Sequence, residues 1–377
     1  MRLTEEQILL RDTARAFAQK ELAPHAAEWD RDARFPKEAL AELGRLGFMG
    51  MLVPPEYGGA GAGYLGYATA IEEIAAGDGA TSTIVAVNSL SCAVVLGFGS
   101  EEQKRRFLAP MAAGEMLAAF CLSEPGAGSD AAAIKTRAVR HGNRWVLNGT
   151  KQFITSGSTA RVAIVFAVTD PAAGRKGISA FIVPTDTAGY RVARVEHKLG
   201  QRASDTAQLA FDDMELTPDL MLGAEGEGYR IALANLEGGR IGIAAQALGM
   251  ARAAYQAALV YAQEREAFGR RIVEHQAVAF RLADMATQLA AARGLIRDAA
   301  QRRDEGERCL QQAAMAKLFA SEMAEKVCSD AIQVHGGYGY LADFPVERIY
   351  RDVRVCQIYE GTSDIQRMVI ARELAND

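Results

Sequence analysis

All strand-like segments of this 377-residue chain fall in one central block, from about Leu117 to Leu222, with helical periodicity on both sides. A single block of strands excludes an alternating strand–helix order, and with it a doubly wound parallel sheet. Upstream, Glu5–Ala23, Lys37–Leu46 and Gly66–Ala76 space their apolar residues as helices do, interrupted by Pro24, Pro36 and Pro54-Pro55. Within the block, Trp145-Val146-Leu147 and Phe153-Ile154-Thr155 flank Asn148-Gly149, a hairpin turn signal. Arg161–Thr169, Ile178–Val183 and Ala207–Phe211 are further strand candidates. From Tyr229 onward helical spacing returns, through Ile241, Ala244, Leu248, Ala251, Tyr255 and Leu259, then Leu282, Met285, Leu289, Ala292 and Ile296. The pattern predicts an α+β chain in three parts: helices over residues 1–115, a β domain over 116–226 and a helical bundle over 227–377.

Length alone argues for more than one core. At 49% apolar and 24% charged, the composition is that of a globular protein. A net charge of −5 without a basic block argues against nucleic acid as the partner. Cys92, Cys121, Cys309, Cys328 and Cys356 form no CxxC, so reduced, mostly buried thiols in a cytoplasmic protein are expected. The histidines are scattered and suggest neither a metal site nor a Cys–His nucleophile. The acidic opening Met1-Arg2-Leu3-Thr4-Glu5-Glu6 predicts no signal or transit peptide. Thr81–Gly99 carries no charge and is almost long enough to span a bilayer. Its hydroxyls and Asn88 predict instead a buried helix lining a cavity, with no membrane partner.

Several short segments could carry chemistry. Gly61-Ala62-Gly63-Tyr64-Leu65-Gly66 fits the dinucleotide fingerprint GxGxxG, but Pro54–Gly59 stands where the preceding strand must be, so a loop is expected. Glu124-Pro125-Gly126-Ala127-Gly128-Ser129-Asp130 follows the strand candidate Ala118–Leu122. Its amides and hydroxyls could cradle a phosphate or lie on a flat ring; a simple strand-ending turn fits equally well. Gly336-Gly337 reads as a helix cap, His335 as a packed residue, and Arg265 as either a solvated charge or a phosphate contact. Glu360 abuts Gly361 just before a short terminal helix (Ile365, Met368, Val369, Arg372), whose start is predicted at Ser363 with Gln366 in capping-box spacing. A carboxylate so held suits a general base, or simply a helix dipole.

Taken in order, Glu124–Asp130, Arg265-x-x-Phe268-Gly269, Gly336-Gly337-Tyr338-Gly339 and Tyr359-Glu360-Gly361-Thr362-Ser363 resemble the acyl-CoA dehydrogenase family. The resemblance covers essentially the whole chain, including Thr4-Glu5-Glu6-Gln7 and the Pro54–Gly59 loop. It implies a helical N-terminal domain, a β-barrel-like middle domain and a C-terminal four-helix bundle, with FAD between the last two. By resemblance, Phe120, Cys121, Leu122, Ser123, Ser129, Phe153, Ile154 and Thr155 lie against the flavin, Ser123 and Thr155 bonding its ring. Many relatives carry tryptophan where Phe153 stands. Arg265, Gln276, Gln333, Val334, His335, Gly336 and Gly337 match positions reaching the FAD of a neighbouring subunit, which implies a homo-oligomer, usually a dimer of dimers. Thr362, Ser363 and Asp364 match positions near the diphosphate and adenine.

For acyl-CoA, the resemblance implies contacts from Ser129, Glu237, Arg240 and Gly361, with Thr81–Gly99 walling the acyl pocket. Glu360 is implied as the base that removes the pro-R α-proton while the β-hydride passes to flavin N5, giving a trans-2-enoyl-CoA. Burial beside the acyl chain is expected to raise its pKa. Some relatives place the base just before the matching arginine, where this chain has Gly239. Electrons are expected to leave to an electron transfer flavoprotein. Leu236–Arg240 and His335–Tyr340 look closest to short-chain and short branched-chain members, so butyryl-CoA or isobutyryl-CoA is expected. The alternatives are a flavin oxidase or monooxygenase of the same fold, or a non-enzymatic, DNA-associated relative. Glu360 and the net acidic charge weigh against them.

Overall fold

Thr4 and Gln7 open the first helix with a reciprocal capping box: Gln7 N–H donates to Thr4 Oγ1 (3.3 Å) and Thr4 N–H to Gln7 Oε1 (3.1 Å). The computed structural model describes residues 3–375; Met1, Arg2, Asn376 and Asp377, and with them the first two residues of the acidic opening, lie outside the described residues. Helix α1 (Glu5–Phe17) widens into a π turn over Ala18–Leu22 and stops before Pro24. Then come α2 (Ala26–Asp32), α3 (Lys37–Arg45), α4 (Gly63–Gly77), α5 (Gly79–Phe98) and the short α6 (Glu101–Gln103) and α7 (Ala109–Ala112). Among the described residues no strand precedes the glycines at 61–66, in line with the rejected dinucleotide reading. Asp78 breaks the chain between α4 and α5 and caps the latter, accepting Thr81 N–H at 2.7 Å. Helix α5 is long and apolar enough to cross a membrane, but 72% of its most apolar window is buried inside the protein, as a core helix requires.

The middle of the chain supplies β1 (Ala118–Cys121), β2 (Arg137–His141), β3 (Arg144–Thr155), β4 (Val162–Val168), β5 (Ile178–Pro184), β6 (Tyr190–Val195), β7 (Thr206–Leu216) and β8 (Met221–Leu222). They form one eight-stranded sheet in the order β6-β7-β3-β2-β4-β5-β8, with β1 parallel to β4. The end strands β6 and β8 do not pair, so the barrel-like domain expected by resemblance is an open sheet.

The hairpin expected at Asn148-Gly149 is absent, because β3 runs straight through it. The Asn148 side chain bonds Asp213 on β7 in both directions, Nδ2 to Oδ1 at 2.9 Å and Asp213 N–H to Asn148 Oδ1 at 2.8 Å, and the β3–β7 register shifts there. Gly149 passes so close to β2 that a Cβ would sit 2.5 Å from Thr136 Oγ1. The pair therefore serves a bulge and a close crossing, and the turn is one hairpin earlier, between His141 and Arg144.

Helices α8 (Gly228–Glu264), α9 (Gln276–Asp304) and α10 (Leu310–His335) pack on one another, and α12 (Ser363–Leu374) lies on α10. A two-residue ribbon, β9 (Glu266–Ala267) with β10 (Arg270–Arg271), separates α8 from α9, and α11 (Pro345–Val353) precedes the terminal turn. One apolar core runs through α1, α4 and α5 into α8, α9 and α10, while a second fills the sheet. Small residues bring α4 and α8 together: a Cβ on Gly249 would lie 2.2 Å from Glu72 O. Two α4 carboxylates lock the seam. Glu72 pairs with Arg252 (2.9 Å) and Arg293 (2.7 Å), and Glu73 with Arg15 (2.8 Å) and Arg252 (2.7 Å), joining α1, α4, α8 and α9.

Candidate active site

The turn before α12 holds Glu360 in a left-handed conformation (φ +51°), followed by Gly361 at φ +92°. A non-glycine residue in that region stores about 1–3 kcal/mol of strain, so its surroundings must hold it there. Thr362 caps α12, its Oγ1 accepting Ile365 N–H at 3.3 Å, one residue before the start predicted at Ser363. Gln366 is not the partner in a capping box. Its Nε2 turns back to donate to Glu360 O (3.2 Å) and Gly361 O (2.9 Å), because the strained turn leaves those carbonyls without helical partners.

Glu360 Oε2 is enclosed and has no hydrogen-bond partner. The space above α8 exists because residue 239 is glycine: a Cβ there would lie 2.0 Å from Oε2. Burial pushes the carboxyl up to about 7, against the opposing pull of the Lys317 and Arg240 charges. The Glu360 N–H has no protein acceptor among the described residues. Beside Gly238-Gly239 a narrow cavity opens between α4, α5 and α8, lined by Tyr64, Tyr67, Ser89, Leu90, Ala93 and Asn235. The Tyr67 hydroxyl rests against Gly242, where a Cβ would sit 2.5 Å away. Further along α8, Gln246 Nε2 donates to Gly79 O (3.1 Å) and Ser82 Oγ (2.8 Å), while its Oε1 accepts from Tyr359. That network fills the interior on the α5 side of the turn.

The other expected residues fall into groups. Gln152 N–H donates to Ser123 O at 2.9 Å, tying the end of β1 to β3 and bringing Ser123 beside the Phe153–Thr155 segment. Phe153 is 67% exposed at φ +60°, an aromatic ring held outward from the sheet. Strand alternation turns Cys121 and Ile154 into the core, so only their backbones can meet a ligand, whereas Phe120, Leu122 and Thr155 are partly open. Ser129 is exposed, and Gly126 and Gly128 have open space where a Cβ would stand. Glu124 itself is buried, accepting from Lys135 N–H (2.6 Å), Thr136 N–H (3.0 Å) and Lys151 Nζ (2.8 Å). It anchors the loop and does not face a ligand.

A second concavity is lined by Arg265, Val334, His335, Gly336, Gly337 and Tyr338, with the Arg265 guanidinium 5.8 Å over the Tyr338 ring. His335 is packed, stacked on Tyr261 with Nδ1 2.8 Å from Ala331 O. Gln276 and Gln333 are exposed, at the start of α9 and near the end of α10. Ser363 Oγ is buried without a partner, and Asp364 is exposed. An open aromatic platform, bare glycine amides, a cationic groove and an orphaned hydroxyl suit a flat ring carrying a diphosphate, as FAD does.

Of the expected CoA contacts, Glu237 is engaged within the chain and Arg240 is not. Glu237 Oε1 accepts from Arg303 (3.0 Å) and Cys309 (2.9 Å). Arg240 is buried, its Nε and Nη1 unpartnered, so only a group entering the enclosed space could meet them. Sequence reasoning missed Lys317, Gln366, Gln246 and Tyr67. Lys317 alone gave a signal, a lysine among Ala313, Ala316 and Ala320 on the apolar face of α10.

The N-terminal, middle and C-terminal domains of the acyl-CoA dehydrogenase family match residues 4–115, 119–214 and 226–375. The chain is 48% identical over 373 residues to a mitochondrial short-chain specific acyl-CoA dehydrogenase of Bos taurus, spanning 99% of this chain and 90% of that one. Butyryl-CoA dehydrogenase from Megasphaera elsdenii superposes with a TM-score of 0.98 at 41% identity, covering 100% of this chain and 99% of that one. A chain solved in work on the electron transferring flavoprotein of Acidaminococcus fermentans superposes with a TM-score of 0.99 at 46% identity, over 100% of both. The architecture, the buried carboxylate and these matches lead to one conclusion: the chain belongs to the acyl-CoA dehydrogenase family, as an FAD-dependent oxidoreductase acting on acyl-CoA.

Proposed function

We propose that the protein dehydrogenates a short straight-chain acyl-CoA, butyryl-CoA first among them, with Glu360 as the base. The observation that carries this is the enclosed, unpartnered Glu360 Oε2 over Gly239, a glycine that also lines a narrow cavity. FAD, when bound, supplies the two-electron acceptor that takes the β-hydrogen with its electron pair, which no side chain can do. Glu360 takes the α-proton, and a carbon–carbon double bond forms between the two positions. Near pH 7 the carboxyl is close to its own pKa, so it is partly ionised and still a strong enough base for a weak carbon acid. The Glu360 N–H, free of protein acceptors, can donate to the thioester oxygen as enolate charge develops.

Tyr64, Tyr67 and Gln246 limit the length of the acyl chain. The two rings narrow the cavity, and the bonded Gln246 carboxamide fills the interior beyond. The short-chain and butyryl names of the relatives point the same way. The Acidaminococcus fermentans relationship supports an electron transfer flavoprotein as the electron acceptor. Steady-state rates with straight and branched acyl-CoAs and a dye acceptor test the reading. Butyryl-CoA is expected to lead, and Gln246→Ala to shift the optimum to longer chains. An isobutyryl-CoA or long-chain optimum in the native enzyme would overturn it. Substrate-dependent peroxide formation at the dye rate would point to an oxidase.

A further inference from the structure

Lys317 lies on α10, fully buried, and donates from Nζ to Gly361 O at 2.7 Å. Among the described residues this is its one hydrogen bond, and it has no salt bridge. A buried ammonium without a carboxylate partner is costly, and a chain that needed only packing here would place an alanine, as it does at Ala313, Ala316 and Ala320. The carbonyl it holds belongs to the residue directly after Glu360. Gln366 Nε2 grips the same oxygen from the other side, and Glu360 O besides. Two donors thus fix the peptides that set the left-handed turn, and the turn in turn sets the Glu360 carboxylate over Gly239.

We propose that Lys317 is a positioning residue for the base: its bond to Gly361 O locks the Glu360 turn, and its charge opposes protonation of the enclosed carboxylate. This rests on Glu360 being the base. The groups facing the pair are few. Arg240 on α8 adds a second positive charge, Tyr67 on α4 and Cys356 in the turn before Glu360 are neutral, and Glu322 lies further along α10. Burial pushes the Tyr67 hydroxyl up and the Cys356 thiol up to about 11, so neither ionises near neutrality. Burial also pulls Lys317 down to about 8, despite nearby Cys356 and Glu360. Its charge is therefore present while Glu360 ionises near 7 and fades as the solution becomes alkaline.

The test is anaerobic flavin reduction by saturating butyryl-CoA, followed from pH 6 to 9 in the holoenzymes of Lys317→Met, Gln366→Leu and Glu360→Gln. Lys317→Met removes bond and charge: the rate at pH 7 is expected to fall about tenfold or more, with the ionisation of the base moved upward by about one unit. Gln366→Leu removes two hydrogen bonds, to Glu360 O and Gly361 O, but no charge, and is expected to slow reduction without moving that ionisation. Binding of crotonyl-CoA, the enoyl product, should be nearly unchanged in both. A Lys317→Met profile superimposable on the native one, with only thermal stability altered, would overturn the proposal. Should Lys317→Met fail to accumulate as holoenzyme, native-like rates in Gln366→Leu would overturn the clamp. If Glu360→Gln is inactive and Lys317→Met native-like, only the Lys317 proposal fails. If Glu360→Gln itself reduces its flavin at the native rate, the assignment of the base fails first.

Discussion

Glu360 and Gly239 come from parts of the chain more than a hundred residues apart, yet a side chain on either would occupy the same point. The glycine is thus the steric complement of the glutamate. Glu360→Gly alone is expected to lower flavin reduction by ~10²–10⁴-fold, the usual loss for a missing general base. Adding Gly239→Glu should restore part of that rate. The new side chain rises from α8 toward the place the old one left, but without neighbours arranged to orient it. A double variant no faster than Glu360→Gly would mean that the shared space does not extend to the reacting carbon. The pH dependence carries a sign as well. A base whose pKa is raised to about 7 is protonated below that, so flavin reduction should fall about tenfold per unit under pH 6 and level off above 8. A rate flat from pH 5 to 8 would mean the carboxyl is ionised throughout. At this scale the sequence exposed Glu360, whose neighbours in the chain mark a turn. It hid Lys317 and Gln366, whose partners are backbone carbonyls placed only by folding.

Elements were legible where periodicity was driven by burial. Helices α9 and α10 bury one face, and their apolar spacing shows it, whereas α8 is enclosed on all sides over residues 240–251 and shows instead a run of small and apolar residues. Strands β2 and β6 turn nearly all their residues outward and so lack the alternation that marks a strand. Asn148-Gly149 misled because the same two residues suit a tight turn and a glycine-mediated bulge, and only the crossing of β2 at Thr136 decides between them. The α4 seam also depends on pairings that local sequence cannot show. Glu73 is buried between Arg15 and Arg252. Burial alone would raise its pKa, but the hydrogen bonds and charge of these arginines bring it below the usual carboxylate value. Its stabilising contribution is therefore present at neutral pH and is lost as the pH falls through its lowered pKa. Glu73→Gln is expected to destabilise by about 2 kcal/mol at pH 7, less than a fully enclosed pair would, because Arg15 is half open and Arg252 keeps Glu72. Calorimetry should show the gap to wild type closing only as the pH falls below the ordinary carboxylate value and through the lowered pKa of Glu73. A gap independent of pH would assign the loss to packing.

Across the whole molecule, the exposed aromatic residues cluster around the expected cofactor positions. Phe268, at the tip of the β9–β10 ribbon, is 97% exposed and held at φ +53°, and Tyr340 and Phe280 also lie open beside the groove-forming segments. Large apolar side chains held outward on a rigid ribbon are typical of a surface that another chain covers. Arg265, three residues before Phe268, lines the open groove with Gly336 and Gly337. If one chain's ribbon completes the FAD site of another, cofactor and assembly are linked: each stabilises the other by mass action. The protein is then expected to purify yellow, with about one FAD per chain, as an oligomer whose dilution releases flavin. Phe268→Asp places a charge at the contact without touching Glu360, and should give smaller species that lose FAD in step with their mass. Light scattering beside flavin absorbance reads both at once. A Phe268→Asp monomer that keeps its full flavin would show that one chain holds FAD by itself, and the shared site would be wrong.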